Sequence, residues 1–158
     1  MPDVVDAMTR SRMMSGIRGK NTKPEIRIRS LLHRRGFRFR IHVATLPGKP
    51  DIVLPKHRAV VQVNGCFWHG HDCPLFKWPQ SRAEWWRTKI ERNRENDGRQ
   101  TWHLLDEGWR VSVVWECALK GKGRLDDDAV ADRLASWITG TDQQQTIRGG
   151  LDGDGKPV

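Results

Sequence analysis

The sequence predicts an α/β fold: a three-stranded meander, a further strand reached through a long helix, and flanking helices, in the order αβββαβα. Two stretches carry helix start signals, around Thr22 and Ser81, and each closes on a glycine, Gly36 and Gly108. Short alternating or β-branched runs bounded by turn residues lie between and after them. A strand entered through a long helix has no hairpin to its predecessor, so it is expected to lie parallel to a neighbour.

In chain order, residues 1–20 are polar and basic and read as an arm or a loosely docked helix. The run "NTKPEIRIRSLLHRRG" predicts a helix with Thr22 as N-cap, Pro24 in the first turn and Glu25 completing a capping box. Ile28, Leu31 and Leu32 form its apolar stripe. "FRFRIH" alternates Phe37, Phe39 and Ile41 with arginines, the pattern of a half-buried strand. "LPGKP" is a loop, and "DIVL" and "AVVQVN" are strands joined by the turn "PKHR". A long helix is expected from about Ser81 to Glu107, with Ser81 and Glu84 forming a second capping box.

The inner stripe of that helix runs through Trp86, Ile90, Asn93, Asp97, Thr101 and Leu104. Its middle is polar where a purely structural helix would carry leucine. Such a mismatch marks either a functional face or a helix broken at Gly98. "WRVSVVWEC" is the strand that follows, and "DDDAVADRLASWITG" is an amphipathic helix with Val130, Leu134, Trp137 and Ile138 facing inward. From Thr141 onward Gly, Gln and Asp dominate and a disordered tail is expected. The chain therefore divides into an arm (1–20), a domain (21–140) and a tail (141–158).

At 158 residues the chain is long enough to bury a core without disulfides. Lysine and arginine outnumber aspartate and glutamate 28 to 19, a net charge of +9 that points to a polyanionic partner, nucleic acid first. Eight tryptophans add to that reading, since indoles stack on bases. No apolar run reaches the roughly 18–20 residues of a membrane span, and "MPDVVDAMTRSRMM" has acidic residues and no apolar core segment, so no secretory signal is expected. No membrane association and a cytoplasmic location are expected. Three cysteines suit a metal site or free thiols better than a disulfide framework.

The stretch "NGCFWHGHDC" places Cys66, His71 and Cys73 close together, with Cys117 past the end of a later strand able to return as a fourth ligand. Thiolates with one imidazole select zinc in a closed, structural shell. By spacing alone His69 and His71 are equal candidates for the imidazole, and a chance cluster is the alternative. Asp51 opens a strand directly after a proline. With Asp97 and a main-chain carbonyl it would form a sparse oxygen site of the kind Mg²⁺ accepts, or it simply caps a turn. His69, when not a zinc ligand, is an imidazole placed for proton transfer. His33, His42, His57 and His103 lack such company and read as surface or packing residues.

Together "GCFWHGHDC", "LPGKPDIV", "EWWRTKIERNRENDGR" and "GWRVSVVWECAL" resemble the very short patch repair endonucleases, over about Thr9 to Trp137. The resemblance implies a restriction-endonuclease-like fold, related to the PD-(D/E)XK nucleases, with a structural zinc. It implies an enzyme that nicks double-stranded DNA 5′ to the thymine of a T·G mismatch, the lesion left when 5-methylcytosine deaminates. Asp51 and the main-chain carbonyl of Val63 become Mg²⁺ ligands, His69 the base, Asp97 its partner carboxylate, and Glu25 a further active-site position. Cys66, His71, Cys73 and Cys117 become the Zn²⁺ ligands. Phe67, Trp68 and Trp86 become an aromatic wedge that enters the DNA, with Met14 approaching from the other groove; core packing is the alternative, above all for Trp86.

Two positions depart from the family pattern: Asn64 stands where a histidine is usual, and Val63 where a hydroxyl residue is usual. Gln62 and Asn64 also lack the E-x-K of the wider superfamily, and Asn64 cannot carry a proton. A monomer is expected, with other repair proteins as further candidate partners. The rival readings are a restriction-type nuclease that needs no mismatch and a zinc-bearing DNA-binding module without catalysis.

Overall fold

The computed structural model describes residues 21–150. Helix α1 (Lys23–Arg34) is followed by strands β1 (Arg40–Ile41), β2 (Ile52–Leu54) and β3 (Ala59–Asn64). Then come α2 (Ala83–Asp106), β4 (Arg110–Trp115), α3 (Asp127–Ile138) and β5 (Gln144–Ile147). The five strands form one sheet in sequence order. β1, β2 and β3 are the expected antiparallel meander, and β4 lies parallel to β3 as expected. β5 adds a second parallel pairing, so the order is αβββαβαβ.

The period-2 alternation of the strands divides the core between two faces. Ile52, Leu54, Ala59 and Val61 pack with Ile28, Leu31 and Leu32 of α1 and with Val130, Leu134 and Ile138 of α3. Val53, Val60 and Val111 point the other way and meet Leu104 of α2. The result is a mixed sheet with α1 and α3 on one face and α2 on the other.

Thr22 caps α1, accepting from the Glu25 N–H at 3.3 Å, and Glu25 reaches back to the Asn21 N–H at 2.6 Å. That reach is one residue further than the simplest capping box. Gly36 and Gly108 take left-handed φ just past the ends of α1 and α2, where the sequence places the stops.

Three expectations change, and one open alternative closes. The strand read in "FRFRIH" shrinks to two residues, because His42 turns left-handed at φ +49° and ends it; Phe37 and Phe39 still pack on the core, while Ile41 is exposed. The Ser81–Glu84 capping box does not form, since Arg82 occupies the N-cap at φ +56° with no side-chain cap. α2 runs unbroken through Gly98, which excludes the broken-helix alternative. The tail expected from Thr141 is ordered over the described stretch: Gln144–Ile147 pairs with β4, and Ile147 is fully buried. One buried apolar residue and main-chain pairing suffice for an edge strand, and neither leaves a pattern in "QQQTI".

Candidate active site

The loop after β3 is held against α2 by its own main chain. Asn93 donates to the Trp68 carbonyl at 2.7 Å, and the Arg94 guanidinium donates to the carbonyls of His69 and Gly70. Gly70 sits at φ +59°, and a Cβ there would lie 2.5 Å from Ile90 of the helix. Only glycine allows the loop to approach so closely. One turn further along α2, Asp97 Oδ2 accepts from His69 Nδ1 at 2.5 Å. The polar middle of the α2 stripe is thus the cradle of this loop. An Nδ1–H committed to a carboxylate leaves the lone pair on Nε2.

Beyond His69 the loop enters a cluster of ligand atoms. Cys66, His71, Cys73 and Cys117 each offer one atom, all within 4.8 Å of one another. His71 Nδ1 lies 3.5 Å from Cys66 Sγ and 3.6 Å from Cys117 Sγ. Those spacings match the roughly 3.6 Å edge between a sulfur and a nitrogen in a tetrahedral zinc shell. Main-chain N–H groups of Cys117 and Gly149 point at the sulfurs of Cys66 and Cys117, at 3.3 and 3.2 Å. The His71 ring stacks on Trp115 at 3.9 Å, which orients it.

The hydrogen bond with Cys117, and then burial, push the Cys66 thiol far above its ordinary range, while the same bond draws Cys117 down to about 4. Burial raises Cys73 as well. Three sulfurs so close cannot all ionise without a cation among them, so the donor set fits a metal.

The second cluster lies at the mouth of the β1–β2 hairpin. Asp51 Oδ2 accepts from the Val63 N–H at 2.7 Å, and the Asp51 N–H donates to Gln62 at 3.2 Å. Glu25, almost wholly buried, contacts the Asp51 carboxylate and receives Arg29 at 2.5 Å. Burial first, and the neighbouring Glu25 charge after it, push Asp51 up to about 8 against the pull of the Val63 N–H. His42 Nε2 stands 3.1 Å from Glu25 Oε1. Glu25, His42 and Asp51 together make a second group of ligand atoms within 4.8 Å of one another.

One cleft of about 1360 Å³ joins these parts; Glu25, His42, Asp51, Val63, Asn64, Phe67, Trp68, His69 and Asp97 line it. Phe67, Trp68 and Trp86 form a half-buried aromatic cluster with centroids 5.1–5.6 Å apart. The structure therefore brings most of the sequence-selected residues together. It separates one pair: Asp97 binds His69, and the carboxylate next to Asp51 is Glu25. Between the two candidate imidazoles, His71 joins the cysteines and His69 does not. Met14 lies outside the described residues, as do the whole arm 1–20 and residues 151–158.

The sequence makes His42 a surface or packing residue, whereas the structure places it in the cleft beside Glu25 and Asp51. The signal was there in the hairpin register: pairing Arg40 with Val53 and Ile41 with Ile52 sets His42 opposite Asp51. Arg94 and Arg29 were missed as well, and nothing in their spacing distinguishes them from other surface arginines.

Residues 2–75 match the family model described as DNA mismatch endonuclease Vsr. Over 140 residues the chain is 48% identical to DNA mismatch endonuclease Vsr of Escherichia coli (strain K12), covering 89% of this chain and 90% of that protein. It is 50% identical over 126 residues to Type II nicking enzyme V.XorIIP of Xanthomonas oryzae pv. oryzae, covering 80% and 93%. It is 43% identical over 122 residues to Type II nicking enzyme V.NmeAIP of Neisseria meningitidis serogroup A, covering 77% and 87%. Fold, cleft and relatives define an enzyme of the endonuclease class. The chain belongs to the DNA mismatch endonuclease Vsr family.

Proposed function

We propose that the chain nicks double-stranded DNA 5′ to the thymine of a T·G mismatch, in a Mg²⁺-dependent reaction on a zinc-stabilised, restriction-endonuclease-like core. The observation that carries this reading is the shared cleft: Asp51, Glu25, His69 and Asp97 line it together with Phe67 and Trp68. Groups suited to hydrolysis and rings suited to probing a base pair face the same space.

Asp51 and the main-chain carbonyl of Val63 would hold Mg²⁺. The Val63 N–H already donates to Asp51, and in an extended strand the N–H and C=O of one residue share an edge. Bound there, Mg²⁺ supplies charge neutralisation at the scissile phosphate and a more acidic water. His69 accepts the proton of the attacking water at Nε2, and Asp97 holds the ring and steadies the charge it acquires. Glu25 adds a second carboxylate beside Asp51. Asn64 lines the cleft and orients water or phosphate through its amide without moving a proton.

Phe67, Trp68 and Trp86 act as the wedge, at the cost of a few kcal/mol for base unstacking, which is least where pairing is already poor. Zn²⁺, held by Cys66, His71, Cys73 and Cys117, stiffens the loop that presents them. Residues 1–20 are read as an arm on the DNA, with Met14 in the opposite groove. A monomer working in the cytoplasm, with other repair proteins as partners, completes the proposal. Among the described residues no helix is long and apolar enough to cross a membrane. The relatives named as nicking enzymes support cleavage of one strand.

The test is incubation with Mg²⁺ and either a T·G duplex or its matched counterpart. Nicking of the T·G duplex alone is expected, with Asp51→Ala inactive and still bound to the mismatch. Equal cutting of both duplexes would establish the restriction-type reading, and binding without cutting the non-catalytic one. Cleavage by Asp51→Ala at the parent rate would displace the active site from this cleft.

A further inference from the structure

His42 closes β1 with a left-handed backbone, and the antiparallel register sets it opposite Asp51, whose carbonyl accepts its N–H at 3.3 Å. Its side chain is about four-fifths buried, and Nε2 lies 3.1 and 3.2 Å from the two oxygens of Glu25. Glu25 Oε2 is already engaged by the Asn21 N–H and by Arg29, at 2.6 and 2.5 Å, which leaves Oε1 to the cluster. The Asp51 carboxylate also contacts Glu25. Two carboxylates and an imidazole therefore converge with their ligand atoms inside a span of 4.8 Å. In an octahedral shell at about 2.1 Å, neighbouring ligands stand about 3.0 Å apart and opposite ones about 4.2 Å. Small side-chain rotations bring all three onto one cation.

The imidazole changes what that cation is. An all-oxygen set suits Mg²⁺, whereas a nitrogen ligand favours first-row transition cations in the order Mn²⁺ < Co²⁺ < Ni²⁺. We propose that Glu25, His42 and Asp51 form a mixed nitrogen–oxygen cation site, in which His42 is a direct ligand that tilts selectivity from Mg²⁺ towards Mn²⁺ and Co²⁺. This rests on the reading that Asp51 holds the catalytic cation. With a cation on Nε2 the ring proton resides on Nδ1, and the hydrogen bond to Glu25 gives way to shared coordination. Were His42 only a hydrogen-bond partner of Glu25, its loss would weaken all divalent cations alike.

The experiment uses the full-length, zinc-loaded protein with Mn²⁺ as the probe, read by pulsed electron paramagnetic resonance. Bound Mn²⁺ is expected to show ¹⁴N coupling from an imidazole, and His42→Asn is expected to abolish it. Asparagine tolerates the left-handed backbone at this position. The same variant is expected to lose on the order of tenfold or more in Mn²⁺ and Co²⁺ affinity, at least what losing an outer-shell partner costs, while Mg²⁺ affinity stays near the parent value.

Mn²⁺ that binds the parent protein without ¹⁴N coupling, or coupling that survives in His42→Asn, overturns the proposal; the parent spectrum decides even where the variant folds poorly. Asp51→Ala separates the two levels. Loss of Mn²⁺ from Asp51→Ala, with no ¹⁴N coupling in the parent, sinks the His42 ligand alone. Retention of Mn²⁺ with unchanged coupling in Asp51→Ala sinks the reading that Asp51 holds the cation, and with it the three-residue site proposed here.

Discussion

His69 and Asp51 pose opposite problems at the scale of single residues. His69 is fixed: its Nδ1 is committed to Asp97, and its carbonyl is held by Arg94. Its proposed role as base depends on Nε2 alone, so His69→Ala should lower the nicking rate by on the order of 10² to 10⁴ while leaving mismatch binding intact. Single-turnover rates beside a binding isotherm would check this, and a rate within twofold of the parent would remove His69 from the mechanism. Asp51 is strained instead by its surroundings. Burial and the Glu25 charge carry it from an ordinary 3.8 to about 8, so between those values the folded chain keeps a proton that the unfolded chain releases. Without Mg²⁺, stability contributed at this position therefore falls as pH rises through that window, and the loss is complete only above pH 8. Asp51→Asn should erase the slope, gaining stability over the parent as pH climbs from 5 to 8. Denaturation of zinc-loaded protein without Mg²⁺ measures it; a parent-minus-variant difference that does not change with pH would contradict the assignment.

The long helix shows what the sequence makes legible among the elements, and what it hides. Asn93 and Asp97 stood out because they occupied positions meant for leucine, and both turned out to hold the loop that carries Trp68 and His69. That signal is local, a polar residue on an apolar stripe, so periodicity reveals it. The start of the helix was not legible: Ser81 and Glu84 have the letters of a capping box, yet the chain enters through a left-handed Arg82 that no spacing rule encodes. β5 was hidden for a different reason. It exists because β4 offers an open edge, a property of the assembled sheet and absent from "QQQTI" itself. His42 falls between these cases, invisible as a lone histidine and obvious once the hairpin register is known. The aromatic cluster belongs to the legible side, and its role is testable. Phe67 meets Trp68 and Trp86 edge to face and the two indoles lie tilted at 52° to each other, outside both apolar cores. Trp68→Ala should thus leave zinc content and melting temperature nearly unchanged, and reduce the preference for T·G over matched DNA. A large fall in melting temperature with preference retained would make Trp68 a packing residue.

Three distant parts of the molecule are tied at one point. Cys66, His71 and Cys73 come from the loop after β3, Cys117 from the turn after β4, and the Gly149 N–H that points at Cys117 from just beyond β5. The parallel half of the sheet is therefore closed at the same end that opens into the cleft. Without a cation this junction is in conflict, since the Cys66 thiol is driven far up while Cys117 is held near 4, and a thiolate is left buried among sulfurs. A tetrahedral cation removes that conflict, and because the unfolded chain has no preformed site, its binding energy becomes folding energy. One zinc per chain is the expected content by elemental analysis. Cys66→Ser, at a fully buried position, should lose the zinc and most of the folded protein. A cysteine cluster that merely packs would behave differently: chelation would do nothing, and Cys66→Ser would cost no more than the roughly 1–3 kcal/mol of a buried hydroxyl. Prolonged chelation that leaves the melting temperature of the parent protein unchanged would therefore reduce this cluster to packing, and with it the idea that a metal holds the aromatic loop in place.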